Sequence, residues 1–272
     1  MRKTFLIACV IGIFTSTFLC IDNVRRYQPR AVFCDIGQGD GTYIRTSDGI
    51  DVLVDTGPND RIITCLEHEL PYFDRTIEVM FLTHAQKDHS GGLASLVRSF
   101  SIKHIFTAPD FITIPSNQYQ TLIQTIPIEW QTITQGDVLN FPRNIITVIW
   151  PPALTDKDAV NAKEVNNRAL GLSIRSESKH ILLLADLDAT EGERALSNIS
   201  SPNTILKISH HGSQYGTSKK LLLLAEPMLA VISVGKNNFY HHPHKLVIDL
   251  LKALNIPYKR TDRDGSITIP LE

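Results

Sequence analysis

Thr83-His84-Ala85-Gln86-Lys87-Asp88-His89-Ser90-Gly91-Gly92 decides how this 272-residue chain is read. The stretch follows an apolar, β-prone run, Val79-Met80-Phe81-Leu82, and precedes Leu93-Ala94-Ser95-Leu96-Val97, which has helical character. It is therefore a strand-to-helix loop, at the carboxyl end of a strand where ligands commonly bind. Two histidines and an aspartate within six residues offer imidazole nitrogen and carboxylate oxygen, donors that suit Zn²⁺, Mn²⁺ or Fe²⁺. A turning loop brings His84 and His89 inward together. The plainer reading is a polar loop that caps a helix, with Asp88 or Ser90 at the cap. The stretch alone leaves both open.

Its partners lie downstream. Asp186 follows Leu182-Leu183-Leu184-Ala185, His210 and His211 follow Leu206-Lys207-Ile208-Ser209, and His242 and His244 sit in Tyr240-His241-His242-Pro243-His244. A single histidine is more often structural, and Asp186 alone is as readily a strand-end cap. Seven of the ten histidines, however, fall in three tight groups, each after a strand. That clustering suits a hydrolase in which two cations, bridged by a carboxylate, activate water and clamp the attacking and leaving oxygens.

Outward from the loop, Ala31-Val32-Phe33-Cys34 reads as a strand ending in the glycine-rich turn Asp35-Ile36-Gly37-Gln38-Gly39-Asp40-Gly41. Thr42 to Arg45 and Asp51 to Val54 read as a hairpin around Ser47-Asp48-Gly49, ending at Asp55-Thr56-Gly57-Pro58. Helices are expected at Cys65 to Leu70, Leu93 to Phe100, Gln118 to Thr125, Glu191 to Leu196, Ser218 to Ala225 and Leu246 to Leu254. Strands are expected at His104 to Thr107, Ile145 to Trp150, Leu170 to Arg175, His180 to Asp186, Thr204 to Ser209 and Leu229 to Val234. Tyr258 to Arg260 and Ser266 to Ile269 read as terminal strands, and Asp156 to Lys163 as an irregular loop. The pattern gives an α/β domain over residues 30–272, with two β-rich layers flanked by helices.

The formal charge is −1 and 43% of residues are hydrophobic, an ordinary globular balance with no bulk basicity toward nucleic acid. Residues 1–29 read separately. Arg2-Lys3 precedes an uncharged apolar run to Leu19, as in a signal peptide or membrane anchor, so the domain is expected outside the cytoplasm, periplasmic or extracellular. In the body, Cys34 and Cys65 are read as two buried free thiols, with a single bridge as the alternative in an oxidising compartment.

The motifs resemble the metallo-β-lactamase superfamily, and within it the C-terminal domain of ComEC-type DNA-uptake proteins. The matching blocks are Asp35-Ile36-Gly37-Gln38-Gly39-Asp40, Val54-Asp55-Thr56-Gly57, Thr83-His84 through Gly91-Gly92, Asn166-Asn167-Arg168-Ala169-Leu170, His210-His211-Gly212-Ser213, Ser233-Val234-Gly235-Lys236-Asn237 and His242-Pro243-His244, in order. The resemblance implies an αββα sandwich of two mixed sheets flanked by helices, with a site for one or two divalent ions, Zn or Mn, at the edge between sheets. Carried onto this chain, His84, Asp88, His89, Asp186 and His211 are metal ligands. Gln86, His210, Asn166 and Asn167 are weaker donors. Asp88 would take a proton, while His242, His244 and Lys236 stabilise developing charge.

One position departs from the family loop His-x-His-x-Asp-His. Gln86 stands where histidine or aspartate is usual, and a neutral amide is a poor donor, so one of two ion positions should be weak. The reading that follows is a phosphodiester hydrolase linked to DNA uptake, with nucleic acid as substrate and a membrane channel as partner. Hydrolysis of another ester, thioester or lactone is the competing enzyme reading. A degenerate, non-catalytic partner in DNA uptake is the third.

Overall fold

The computed structural model describes residues 22–109, 128–153, 165–199 and 202–272, together with Thr17, Phe111, Ile123, Gln124 and Ile126. The apolar leader, most of the helix expected at Gln118 to Thr125 and the loop Asp156 to Lys163 lie outside them. No described helix is long and apolar enough to cross a membrane.

The chain first lays down β1 (Arg30–Phe33), β2 (Thr42–Arg45), β3 (Asp51–Val54), β4 (Thr76–Leu82), β5 (Ser101–Thr107) and β6 (Trp130–Thr132). It then forms β7 (Val138–Phe141), β8 (Asn144–Trp150), β9 (Gly171–Arg175), β10 (His180–Leu183), β11 (Thr204–Lys207), β12 (Leu229–Ile232) and β13 (Tyr258–Arg260), and returns as β14 (Ile267–Pro270). One sheet runs β14-β1-β2-β3-β4-β5-β6 and the other β13-β12-β11-β10-β9-β8-β7. Each is antiparallel through its hairpins and parallel beyond: β3 to β6 in the first, β10 to β13 in the second.

Alternation along the strands makes three layers of core. In β4, Val79 and Phe81 face the opposite sheet, while Met80 and Leu82 face helices Arg61–Glu69 and Leu93–Ser99. In β10, Ile181 and Leu183 face the first sheet, while Leu182, with Leu184 just beyond, packs under helices Ala189–Leu196, Lys219–Ala225 and Lys245–Ala253. Strands covered on both faces read as unbroken apolar runs, which is why β4 and β10 look so hydrophobic. The expected sandwich of two mixed sheets flanked by helices is the observed fold.

Some local expectations change. Cys34 and Cys65 form a disulfide, with Cα atoms 6.0 Å apart. The end of β1 and helix Arg61–Glu69 share one buried cluster, which brings together two thiols 31 residues apart in sequence. That helix begins four residues before Cys65, where Asn59 Oδ1 accepts the Arg61 amide. The two terminal strands do not pair; a helical turn, Thr261–Asp264, carries the chain from one sheet to the other.

Candidate metal centre

The parallel strands end along one edge, and their loops build the site. After β4, Thr83 and His84 lead into a single helical turn, Lys87–Ser90, that carries Asp88 and His89. Two close contacts hold this turn. A Cβ on Gly39 would stand 2.3 Å from the Asp88 carbonyl oxygen, and one on Gly92 would stand 2.4 Å from that of Asn59. Only glycine admits both approaches. The first lets the Asp40 amide donate to the Asp88 carbonyl at 3.0 Å.

From the second sheet, Asp186 follows β10 by three residues, after Ala185 at φ 47°. After β11, His210, His211 and Gly212 all take positive φ, at 50°, 54° and 84°. Left-handed histidines are strained, and such strain collects where side chains must be aimed. Here it turns both rings toward Asp186. His211 Nε2 lies 3.2 Å from Asp88 Oδ2 and 3.7 Å from Asp186 Oδ2, and His210 Nε2 lies 3.6 Å from Asp186 Oδ2.

One donor atom each from Asp88, His89, Asp186 and His211 falls within 4.8 Å of the others. His84 stands beside them, its ring 4.1 Å from that of His89. Buried His84 Nε2, His89 Nε2 and both Asp186 oxygens lack a hydrogen bond of proper geometry. This holds although His89 Nε2 and Asp186 Oδ1 are 3.2 Å apart. Buried polar atoms normally find partners. Convergent nitrogen and oxygen atoms that do not aim at one another fit a divalent cation.

Carboxylates behind the histidines complete the frame. Asp55 accepts from the Thr83 amide and hydroxyl, both at 2.8 Å, and faces His89 Nδ1 at 2.7 Å. Asp40 lies 3.3 Å from His211 Nδ1 and pairs with buried Lys207. Neither Asp40, Asp55 nor Lys207 stands among the residues that sequence motifs mark as ligands. Asp40 and Asp55 end glycine-rich strand ends, and Lys207 is a lone charge in an apolar strand. Those are the signals that point to them.

Burial would raise the Asp186 carboxyl, yet His89 and His211 hold it well below the usual carboxylate range. Burial opposes charge on His89, but Asp186, Asp55 and Asp40 push its pKa well above the ordinary value. Against the same penalty, Asp186 and Asp40 raise His211 to about 10. His84 is different: burial and then the neighbouring His89 lower it to about 3, leaving a neutral imidazole.

The remaining sequence candidates divide. Gln86 Nε2 donates to Asn166 Oδ1 at 2.6 Å, so the two amides occupy each other. Asn167 ties the chain together, donating to Asp188 Oδ2 and accepting the Asp188 amide, both at 3.0 Å. His242 faces the centre's rim, its ring 5.8 Å from that of His210. His244 caps helix Lys245–Ala253, where its Nδ1 accepts the Leu246 amide at 3.2 Å. Lys236 lines a separate pocket with Arg61 and Tyr240. A cleft of about 680 Å³ opens beside Gln86, Asn166, Asp188, His210 and Tyr215.

A model of the metallo-beta-lactamase superfamily matches residues 34–236. The chain is 31% identical over 199 residues to ComE operon protein 3 of Bacillus subtilis, covering 71% of this chain and 24% of that protein. It is 26% identical over 273 residues to competence protein ComA of Neisseria gonorrhoeae, covering 96% of this chain and 36% of that protein. The chain thus spans between a quarter and about a third of these relatives' length. The crystal structure of the metallo-beta-lactamase fold protein YhfI from Bacillus subtilis superposes with a TM-score of 0.60 at 14% identity, over 89% of this chain and 99% of that one. The family match runs from the end of β1 to the loop after β12, and so takes in every loop that meets at Asp186: the chain belongs to the metallo-β-lactamase superfamily.

Proposed function

We propose that this chain is a divalent-metal-dependent phosphodiesterase acting on nucleic acid, in the service of DNA uptake. The observation that carries the reading is the convergence of Asp88, His89, Asp186 and His211, with buried donor atoms left without hydrogen bonds. Asp88, His89, Asp186 and His211 would hold a divalent cation, Zn or Mn, and neutral His84 would lend a further nitrogen; the bound ion would supply Lewis acidity toward a phosphoryl oxygen and water. Asp55 keeps a proton on His89 Nδ1, so that Nε2 points inward as a donor, a role carboxylates commonly play behind ligating histidines. The Ser233 carbonyl accepts from His211 Nδ1 at 3.1 Å and holds that ring in the same sense, with Asp40, paired to Lys207, beside it at 3.3 Å.

Asp88 is half-buried, with Oδ2 held by His211. It accepts the proton of the attacking water. His242, whose ring lies 5.8 Å from that of His210, is our candidate to contact the leaving oxygen. The amide pair of Gln86 and Asn166 stands where the family loop would supply donors to a second ion, which favours one strongly held ion. The likeness to a competence protein supports nucleic acid over another ester, thioester or lactone.

We assign residues 30–272 to the hydrolase domain and residues 1–29 to a signal peptide or membrane anchor and a linker, whose Arg26 rests on the domain through the Glu67 and Leu70 carbonyls, with the domain outside the cytoplasm. The Cys34–Cys65 disulfide supports this, because such bonds persist in oxidising compartments. The function is tested by metal analysis of the purified chain with hydrolysis of single- and double-stranded DNA under added Mn²⁺ or Zn²⁺. Metal-dependent cleavage lost in Asp88→Ala supports it. Metal binding without cleavage of any ester favours the non-catalytic role in uptake.

A further inference from the structure

A second pocket lies between the glycine loop after β1 and the loop Gly235–His244 after β12. Its volume is about 500 Å³, and Gly37, Gln38, Arg61, Lys236, Phe239 and Tyr240 line it. Pockets of this size hold small-molecule units such as one nucleotide. We propose that it is a nucleotide subsite for single-stranded nucleic acid, with Phe239 and Tyr240 stacking on a base and Lys236 and Arg61 holding its phosphate. The proposal rests on the phosphodiester reading and extends it to a part of the strand away from the bond that breaks.

Three observations converge on it. The first is exposure. Phe239 is 97% exposed and Tyr240 68%, a placement that forgoes the burial large apolar side chains usually find.

The second is rigidity. Asn238 Nδ2 donates to the Gly235 and His242 carbonyls at 2.9 and 2.8 Å, and its Oδ1 accepts the His242 amide at 2.9 Å. Gly235 is pressed onto the glycine loop, its amide donating to Gln38 Oε1 at 3.0 Å. The aromatic rings are thus held out by a fixed loop, which lowers the ordering cost of stacking.

The third is direction and charge. Tyr240 stacks with His242 at 5.8 Å and 26°, His242 meets His210 at 5.8 Å, and His210 reaches Asp186. A row of rings therefore joins the pocket to the metal centre. Bases stack on such surfaces without regard to sequence. Asp262, also at the pocket, is neutralised by Arg260 at 2.6 and 2.9 Å, and Asp35 Oδ1 faces the Gly37 amide at 3.4 Å. Among the described residues, Arg61 and Lys236 have no ion-pair partner; set against the Asp35 carboxylate, they leave the pocket one net positive charge for a phosphate.

The test is fluorescence anisotropy on the purified full chain in EDTA, with a labelled oligothymidylate and an abasic strand of equal length. The expected result is oligothymidylate binding roughly tenfold tighter or more, a preference removed in Phe239→Ala/Tyr240→Ala. Arg61→Gln/Lys236→Gln should weaken both strands alike and flatten the salt dependence. Equal binding of the two strands by the wild type, or a preference that survives the aromatic double variant, overturns the subsite. A duplex that binds as well as the single strand also overturns it. Hydrolysis of bis(p-nitrophenyl) phosphate with Mn²⁺, which has no base, tests the phosphodiester reading by itself. Hydrolysis without base preference defeats only the subsite; base preference without hydrolysis of any phosphodiester defeats only the catalytic reading.

Discussion

Asp55 Oδ2 lies 2.7 Å from His89 Nδ1, while the opposite ring nitrogen of His89 lies 3.2 Å from Asp186 Oδ1 without a hydrogen bond to it. The outer carboxylate therefore decides which nitrogen of His89 is free to serve the centre. Asp55 is itself fixed by the Thr83 amide and hydroxyl, so its rotation is closed off. Asp55→Asn should keep the fold by circular dichroism yet weaken divalent-ion affinity about 10- to 100-fold. Calorimetric titration with Mn²⁺ or Zn²⁺ checks this. Affinity equal to wild type would show that Asp55 serves the fold alone.

The amide pair of Gln86 and Asn166 leads to a second expectation. The pair satisfies itself at 2.6 Å and presents no charge to a cation. Wild type should bind one ion tightly and a second weakly. Gln86→Asp and Gln86→His restore a strong donor and should raise occupancy of the second position. Counting equivalents by titration decides it, and two equally tight ions in the wild type would contradict the argument.

How far the sequence reaches can be judged from particular residues. His84, Asp88 and His89 are legible because a polar triplet interrupts the apolar run ending at Leu82. Asp186 and His211 are legible for the same reason after β10 and β11. Asp55 is quoted only as a turn, because its partners arise from the parallel pairing of β3 with β4, which brings Val54 beside Phe81. Lys207 stands out locally as a lone charge in an apolar strand, but its partner Asp40 comes from a loop of the other sheet, which no local pattern encodes. His244 reads like a cleft residue beside His242, but the helix that starts at Lys245 claims its ring as a cap. The Cys34–Cys65 bridge needed the packing of helix Arg61–Glu69 on β1 before two distant thiols could be read as a pair.

That bridge carries its own expectation. It closes a loop over a sequence separation of 31 residues. Constraint of the unfolded chain over such a loop contributes about 3–4 kcal/mol. It also ties Cys34, which opens the glycine loop leading to Asp40, to helix Arg61–Glu69. Cys34→Ala/Cys65→Ala should unfold at a correspondingly lower urea midpoint, and dithiothreitol should destabilise wild type but not the variant. Equal sensitivity of both proteins to the reductant would show that the bond does not form.

His180 gives a stability signal separate from the metal centre. It is buried on β10, where Ser173 Oγ meets Nε2 at 2.8 Å and Thr204 Oγ1 lies 3.4 Å from Nδ1. Burial, and then the charge of Arg175, lowers its pKa to about 4. The folded chain therefore holds the ring neutral where the unfolded chain, titrating at about 6.5, binds a proton. The sign follows from linkage. The contribution is fully present above about pH 6.5, declines as pH falls and is gone below about pH 4. It amounts to about 2 kcal/mol lost between pH 7 and pH 5. Urea unfolding of wild type and His180→Gln at both pH values isolates it, because other titrating groups are common to the two proteins. The variant should lose less stability on acidification, by about that amount. Parallel losses in the two proteins would mean that His180 is protonated in the fold.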